Sequence, residues 1–311
     1  MIKQLYQNRH FATIIPSIFR KIEFSGFKRV EFKTWDNDFI HLDEIKSNNK
    51  RVVIILHGLE GSAKQHYVLS QAKSLSVAGF DIIAVNFRTC SGVMNKTTNL
   101  YHSGETKDLT SVIEYAKKSH EEIHIIGFSL GGNVLLKYLG ETKTTAIASA
   151  AAFSAPISLE SCAEELDLGF NKIYARHFMS TLSKKVVYIQ KTYTDNKIMT
   201  VKPKELKSFF DFDHLVTAPL HGFESAKDYW DRSSSLQFLG DIKIPTLLMN
   251  AKDDPFLGQR CYPEMESINN PNLTFEYPEK GGHVGFTQDS LSSENLMDIK
   301  AKSFLVAHSR Y

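Results

Sequence analysis

The feature that most constrains this chain is an apolar run, Ile123-His-Ile-Ile-Gly-Phe128, that breaks into Ser129-Leu-Gly-Gly-Asn133 and resumes as an apolar helical pattern through Leu139. A strand that enters a helix through Gly127-x-Ser129-x-Gly131 carries the nucleophile-elbow pattern. The turn is sharp and strained and leaves the serine little steric room. Glycines two residues to either side let backbone and helix approach closely. The serine Oγ then stands at the mouth of the sheet. The amide of Leu130, at the start of the new helix, can face a developing oxyanion. A glycine-rich strand–helix turn with a bystander serine would show the same letters, so the motif needs partners elsewhere in the chain.

The surrounding pattern predicts the layers such an elbow requires. Residues 27–35 and 39–45 read as an opening strand pair across the turn Asp36-Asn37-Asp38, with Ile40 and Leu42 facing in and His41 and Asp43 facing out. Residues 51–56 and 80–86 are continuous apolar runs, the mark of parallel strands buried on both faces. A helix over 65–78 closes at Gly79, and a second carries Leu109, Val112, Ile113 and Ala116 on one face. Residues 146–153, 244–250 and 273–277 read as further strands, and the segment after Asp289 as a closing helix. Strands alternating with helices predict an α/β fold with a mostly parallel, doubly wound sheet. The alternation stops between residues 158 and 240, where long and aromatic side chains predominate. That segment is expected to be a helical cap inserted between two parts of one core, 1–157 and 241–311, and to supply apolar walls for a substrate.

A serine hydroxyl needs a base within hydrogen-bond reach, and the base needs an anion to orient it. In folds built on this elbow the order is Ser, then Asp or Glu, then His. Both partners follow Ser129 in that order. Asp253-Asp254-Pro255-Phe256 comes after the penultimate core strand, and Gly281-Gly282-His283-Val-Gly-Phe286 after the last. Asp254 is preferred as the acid, with Asp253 left to bind loop amides. His214 and His221 fall in the cap segment, against the order. His57-Gly-Leu-Glu-Gly-Ser62 ends the first buried strand and offers the amide of Leu59 as a second oxyanion donor. His57 is expected to shape that loop by hydrogen bonding, the alternative being a second base. Ser129, Asp254 and His283 as catalytic residues, with Leu59 and Leu130 as oxyanion amides, predict an α/β-hydrolase fold.

Composition narrows the alternatives. A net charge of +2 over 311 residues gives no reason to expect a nucleic-acid partner. Cys90, Cys162 and Cys261 are sparse, odd in number and far apart in sequence, which suggests neither a disulfide framework nor a metal knuckle. Cys90 lacks a visible activating partner. No close pair of metal ligands occurs, so no metal or cofactor is expected. No run is long enough to span a bilayer, and the polar start, Met1 to His10, lacks a signal-peptide core. The protein is therefore expected to be cytoplasmic. Residues 11–22 mix apolar and basic groups; they are expected to lie on the fold, with peripheral membrane contact as the alternative.

The motifs together resemble the YheT-like branch of α/β-hydrolases, bacterial esterases related to plant embryogenesis-associated proteins and to ABHD-type lipid hydrolases. The resemblance covers most of the chain. It is carried by Asn8-Arg-His-Phe-Ala-Thr-Ile-Ile-Pro16, the 57–62 loop, Arg88-Thr-Cys-Ser-Gly92, Tyr101-His-Ser-Gly-Glu-Thr106 and the elbow. Further on it rests on Tyr174-Ala-Arg-His-Phe178, Asp211-Phe-Asp213, Thr217-Ala-Pro-Leu-His-Gly-Phe223 and the Asp254 and His283 loops. It implies the same nucleophile, acid and base, and carboxylic-ester hydrolysis without a cofactor. Thr89 departs from the glycine that relatives commonly carry there. Three functions follow as expectations: an esterase on small or medium acyl esters, a lipid hydrolase at a membrane surface, and a non-catalytic binding protein of the same fold. Oligomeric state is not readable from these motifs.

Overall fold

Each apolar run forms a strand, and the computed structural model, which describes residues 6–264, 268–287, 290–291 and 294–311, joins all eight into one sheet. Residues 1–5 of the polar N-terminal run, and Asp289 at the head of the expected closing helix, lie outside the described residues. The strands are β1 (Lys28–Lys33), β2 (Phe39–Ile45), β3 (Arg51–Leu56), β4 (Asp81–Asn86), β5 (Glu122–Phe128), β6 (Ser149–Phe153), β7 (Thr246–Met249) and β8 (Leu273–Glu276). Their order is β1-β2-β4-β3-β5-β6-β7-β8. β2 runs antiparallel to β1 and β4, and every other pair is parallel.

The period-two geometry of a strand explains how one sheet feeds two cores. Val52, Ile54 and Leu56 of β3, with Ile123 and Ile125 of β5, pack into one core; Val53 and Ile55, with Ile126 and Phe128, pack into the other. Helices α3 (Lys107–Ala116) and α4 (Leu130–Thr142) cover the first face. Helices α2 (His66–Val77) and α8 (Leu296–Ala307) cover the second. Burying one such aliphatic side chain contributes about 1.5–3 kcal/mol.

One strand departs from expectation. Asp43 does not face water; it is buried, because β1 covers β2 and makes it an interior strand. Its carboxylate is held by both arms of Arg29 at 2.7 Å and by Asn86 Nδ2 at 3.0 Å, so burial leaves neither oxygen without a partner.

Between β6 and β7 the chain forms helices joined by turns and loops, with no strand. It runs through α5 (Leu159–Leu166), the long α6 (Lys172–Thr192), a composite turn from Phe209 to His221 with a π-helical stretch at Asp213–Thr217, and α7 (Ala226–Ser233). This segment has apolar clusters of its own, one around Leu182, Val186 and Phe212, another around Tyr229 and Trp230. Before the sheet, α1 (Arg9–Phe19) is capped by Asn8, whose side chain accepts from the amides of His10 and Phe11. Among the described residues no helix is long and apolar enough to cross a membrane.

The topology fixes where chemistry can sit. The strand order reverses between β3, whose next strand β4 lies on one side, and β5, which lies on its other side. Ligands in open α/β sheets bind outside the carboxyl ends at such a switch point. The loops after β3 and β5 open there.

Candidate active site

Ser129 follows β5 and caps α4 with φ 51° and ψ −121°, a sparsely populated conformation for a residue with a side chain. The strain persists because its surroundings leave no alternative. The Ser129 amide donates to the Phe153 carbonyl at 2.9 Å, while its own carbonyl accepts from Gly132 and Asn133. A Cβ on Gly127 would strike the Gly131 carbonyl, and one on Gly131 would lie 2.6 Å from the His57 carbonyl. Both glycines are therefore fixed by the turn's close approaches.

His283 reaches this serine. Its Nε2 lies 2.9 Å from Ser129 Oγ, and its Nδ1 lies 2.9 and 3.1 Å from the two Asp254 carboxylate oxygens. A carboxylate only accepts, so Nδ1 carries the proton and Nε2 is left to accept from the hydroxyl. Asp254 is 2% exposed and its Oδ1 also accepts from the Phe256 amide. The Phe256 ring stacks on the imidazole with centroids 4.1 Å apart. Asp253 does something else: its Oδ1 accepts from the amides of Gly281 and Gly282 and so ties the loop after β7 to the loop after β8. His214 stacks on Phe210 and His221 packs against His102; neither is bonded to Ser129.

The loop after β3 is held from several sides. His57 is fully buried; its Nδ1 donates to the Gly58 carbonyl at 2.6 Å and its Nε2 accepts from the Phe87 amide at 3.1 Å. With both nitrogens bound to backbone, it shapes the loop. Gly58 donates to Tyr67 Oη, and Glu60 donates to Tyr101 Oη at 2.7 Å. Tyr101 Oη donates back to Glu60 Oε1, which also accepts from Lys185 of α6. The amides of Leu59 and Leu130 donate to no other group of the chain among the described residues. Both residues line the pocket that holds Ser129 and His283. The rest of that pocket is mostly apolar, with Leu100, Leu159, Leu166, Phe178, Leu182 and Trp230 on its walls.

The fold brings two of the cysteines together. Cys162 and Cys261 are distant in the chain but their Sγ atoms are 3.3 Å apart, buried and unbridged. Cys90 has a partner the sequence could not reveal, Lys185 Nζ at 3.7 Å. Burial nevertheless pushes its thiol up to about 11, the opposite of what a thiolate nucleophile needs. Thr89 adopts φ 64°. Glycine reaches that region without strain, whereas a β-branched residue does so only at a cost.

Several supporting residues were not identified as such from sequence. Thr13 Oγ1 accepts from the His283 amide at 2.9 Å, and Arg9 donates to the Asp254 carbonyl at 3.3 Å. Ser154, at the end of β6, accepts from the Val284 amide at 3.0 Å. A Cβ on Gly285 would run into the Ala12 carbonyl, so α1 lies hard against the histidine loop. The signals for α1 were the Asn8–Pro16 motif and the apolar–basic mix over residues 11–22, and neither gave it a role at the histidine loop.

Buried histidines give the fold a pH dependence. Burial holds His57 and His221 down to about 4 and His66 to about 3, against 6.5 in an unfolded chain. Below pH 6.5 the unfolded state thus binds more protons, and stability is lost as the pH falls toward 4. Asp213, raised by burial to about 6 from 3.8, acts in the opposite sense over that lower window. Glu105 and Asp167 are raised by burial in the same sense as Asp213, and His102 and His124 are lowered by burial with the other three, so these five histidines oppose three acids. The thermal midpoint should be clearly lower at about pH 4.5 than at about pH 7.5. Equal midpoints would contradict this.

The chain matches the family described as α/β hydrolase fold over residues 51–290. It is 32% identical over 296 residues to "Putative esterase YheT" of Escherichia coli (strain K12), covering 92% of this chain and 86% of that protein. It is 28% identical over 288 residues to "Phospholipase ABHD3" of Mus musculus, covering 88% and 70%. The solved structure of the Pyrococcus furiosus esterase Pf2001 superposes with a TM-score of 0.60 at 20% identity, over 93% of this chain and 98% of that one; this is a likeness of fold.

Proposed function

This chain belongs to the α/β-hydrolase family, in its YheT branch, and from that premise we propose a serine hydrolase that cleaves carboxylic esters through an acyl-enzyme. The observation that carries the proposal is the unbroken hydrogen-bond series from Ser129 through His283 to Asp254. His283 Nε2 takes the hydroxyl proton as Ser129 Oγ attacks the ester carbonyl carbon. The negative charge moves to the carbonyl oxygen and is met by the Leu59 and Leu130 amides. The imidazolium, stabilised by Asp254, protonates the leaving alcohol as its C–O bond breaks. Water then attacks the acyl-enzyme with His283 again as base, and Ser129 is released with a carboxylic acid. Nothing in this sequence calls for a cofactor.

Residues 158–240 act in this proposal as a cap on a core formed by 1–157 and 241–311. Its apolar walls receive the acyl chain, while Lys185 on α6 steadies the oxyanion loop through Glu60. A second reading, a lipid hydrolase, is favoured by the scarcity of polar groups in the pocket and by the likeness to a phospholipase. A non-catalytic binding role is disfavoured because none of the three side chains is degenerate.

Turnover of p-nitrophenyl esters of increasing acyl length, with and without lipid vesicles, tests the proposal. Hydrolysis of short soluble esters is expected, with kcat/KM rising as the chain lengthens to fill the apolar walls. No turnover of any ester in the series would reject the reading.

A further inference from the structure

We propose that the outer faces of α1 and α6 form a docking surface for an anionic phospholipid bilayer, which would place the pocket beside lipid esters. The benefit to catalysis rests on the hydrolase reading of the site; the docking itself does not.

α1 turns its apolar side the wrong way for a helix that merely packs on a protein. Ala12, Thr13 and Pro16 face inward against the histidine loop, yet Phe11, Ile18 and Phe19 are 46%, 60% and 62% exposed. A second exposed apolar group lies just before and at the start of α6: Leu168 at 60%, Phe170 at 50% and Ile173 at 49%. The two meet where His10 packs on Phe170 with ring centroids 4.4 Å apart, and where His10 Nδ1 lies 3.1 Å from Tyr174 Oη. Contiguous exposed apolar groups on a folded protein mark an interaction surface.

Charge identifies the partner. α1 and α6 together carry six lysines and arginines and no aspartate or glutamate. Lys172, Arg176, Lys184 and Lys191 are exposed on α6, alongside Tyr188. The acids beside this face include Glu165, paired with Arg9, Asp167, facing Lys172, Asp211 near Asp167, and the exposed Glu164; the exposed cations of α6 outnumber the acids among these without a basic partner. Cations of one sign interleaved with aliphatic and aromatic groups fit anionic headgroups over an acyl layer.

The same helices reach the site from behind. Phe178 and Leu182, on the inner side of α6, line the pocket. A series of rings runs inward from the exposed Phe170 through Tyr174 and Phe256 to His283, with centroid spacings of 6.2, 4.8 and 4.1 Å. The outer face is thus joined to the catalytic histidine by packed rings, and the pocket wall formed by Phe178 and Leu182 belongs to the same helix as the exposed cations.

The test is co-sedimentation of the Ser129→Ala variant of the 311-residue chain with vesicles, so that no lipid is consumed. One set is phosphatidylcholine alone, the other an equal mixture with phosphatidylglycerol. Binding to the mixed vesicles is expected, falling with added salt. Lys172→Glu with Arg176→Glu should weaken it by at least about twenty-five-fold, since each basic residue contributes about fivefold. Ile18→Ser with Phe19→Ser should also weaken it. In the Ser129 background of the native protein, both pairs should keep their thermal midpoints and their turnover of a soluble short ester. No binding to either vesicle, or equal binding to both, would overturn the proposal. So would a concentration-dependent dimer abolished by the Ile18 and Phe19 pair, which would make a second copy the partner. Vesicle binding without ester turnover in the native protein would leave docking in place and remove the hydrolase reading alone.

Discussion

Ser129→Ala is expected to lower turnover of a short-chain chromogenic ester by about a million-fold, to the level left by binding and the oxyanion amides. The fold should survive, for local reasons. The strained backbone at 129 is held by amide and carbonyl bonds that alanine keeps, and the Cβ is unchanged. The hydroxyl's hydrogen-bond partner is His283 Nε2, so its removal costs one hydrogen bond, about 1 kcal/mol. Turnover and thermal unfolding measured on the same preparation check both halves. Residual turnover within tenfold of the native protein, with an intact fold, would remove Ser129 from the mechanism.

Asp254→Asn should cost about ten-thousand-fold in kcat while leaving the geometry nearly intact. The loss comes from the tautomer. A carboxylate accepts only and therefore keeps the proton on Nδ1. An asparagine can present its NH2 to Nδ1, which moves the ring proton to Nε2, and Nε2 can then no longer take the serine proton. The adjacent Asp253→Asn is the internal control. Its amide oxygen can still accept from Gly281 and Gly282, so kcat should fall by less than about tenfold. Kinetics of the two variants side by side decide between the aspartates. Equal losses, or a larger loss at Asp253, would reverse the assignment.

Most of the sheet was legible because strands buried on both faces leave continuous apolar runs, as in residues 51–56 and 80–86. The misreading of Asp43 has the same root. Alternation in β2 reports which side chains are polar, but whether they meet water depends on β1, packed alongside, and on Arg29. The elbow, the acid loop and the histidine loop were legible through chain order, since each follows a strand and the topology carries those ends to one edge. Contacts that cross elements left no such trace. Thr13 beneath His283, Lys185 on Glu60, and the Cys162–Cys261 approach join residues separated by 270, 125 and 99 positions. No local periodicity encodes them.

The outward apolar face of α1 belongs with these. A segment of mixed apolar and basic residues can lie on its own fold or on a membrane, and composition does not choose. The structure shows the inner side against the histidine loop and the outer side uncovered, so one helix has room for both roles.

The most direct measurement is covalent labelling of the folded native protein with a fluorophosphonate probe, followed by peptide mass spectrometry. Such a probe reports a serine made nucleophilic by its neighbours. The adduct should fall on Ser129 and should be lost in His283→Ala. An unlabelled Ser129, or an adduct confined to another side chain, would contradict a nucleophile at the end of β5.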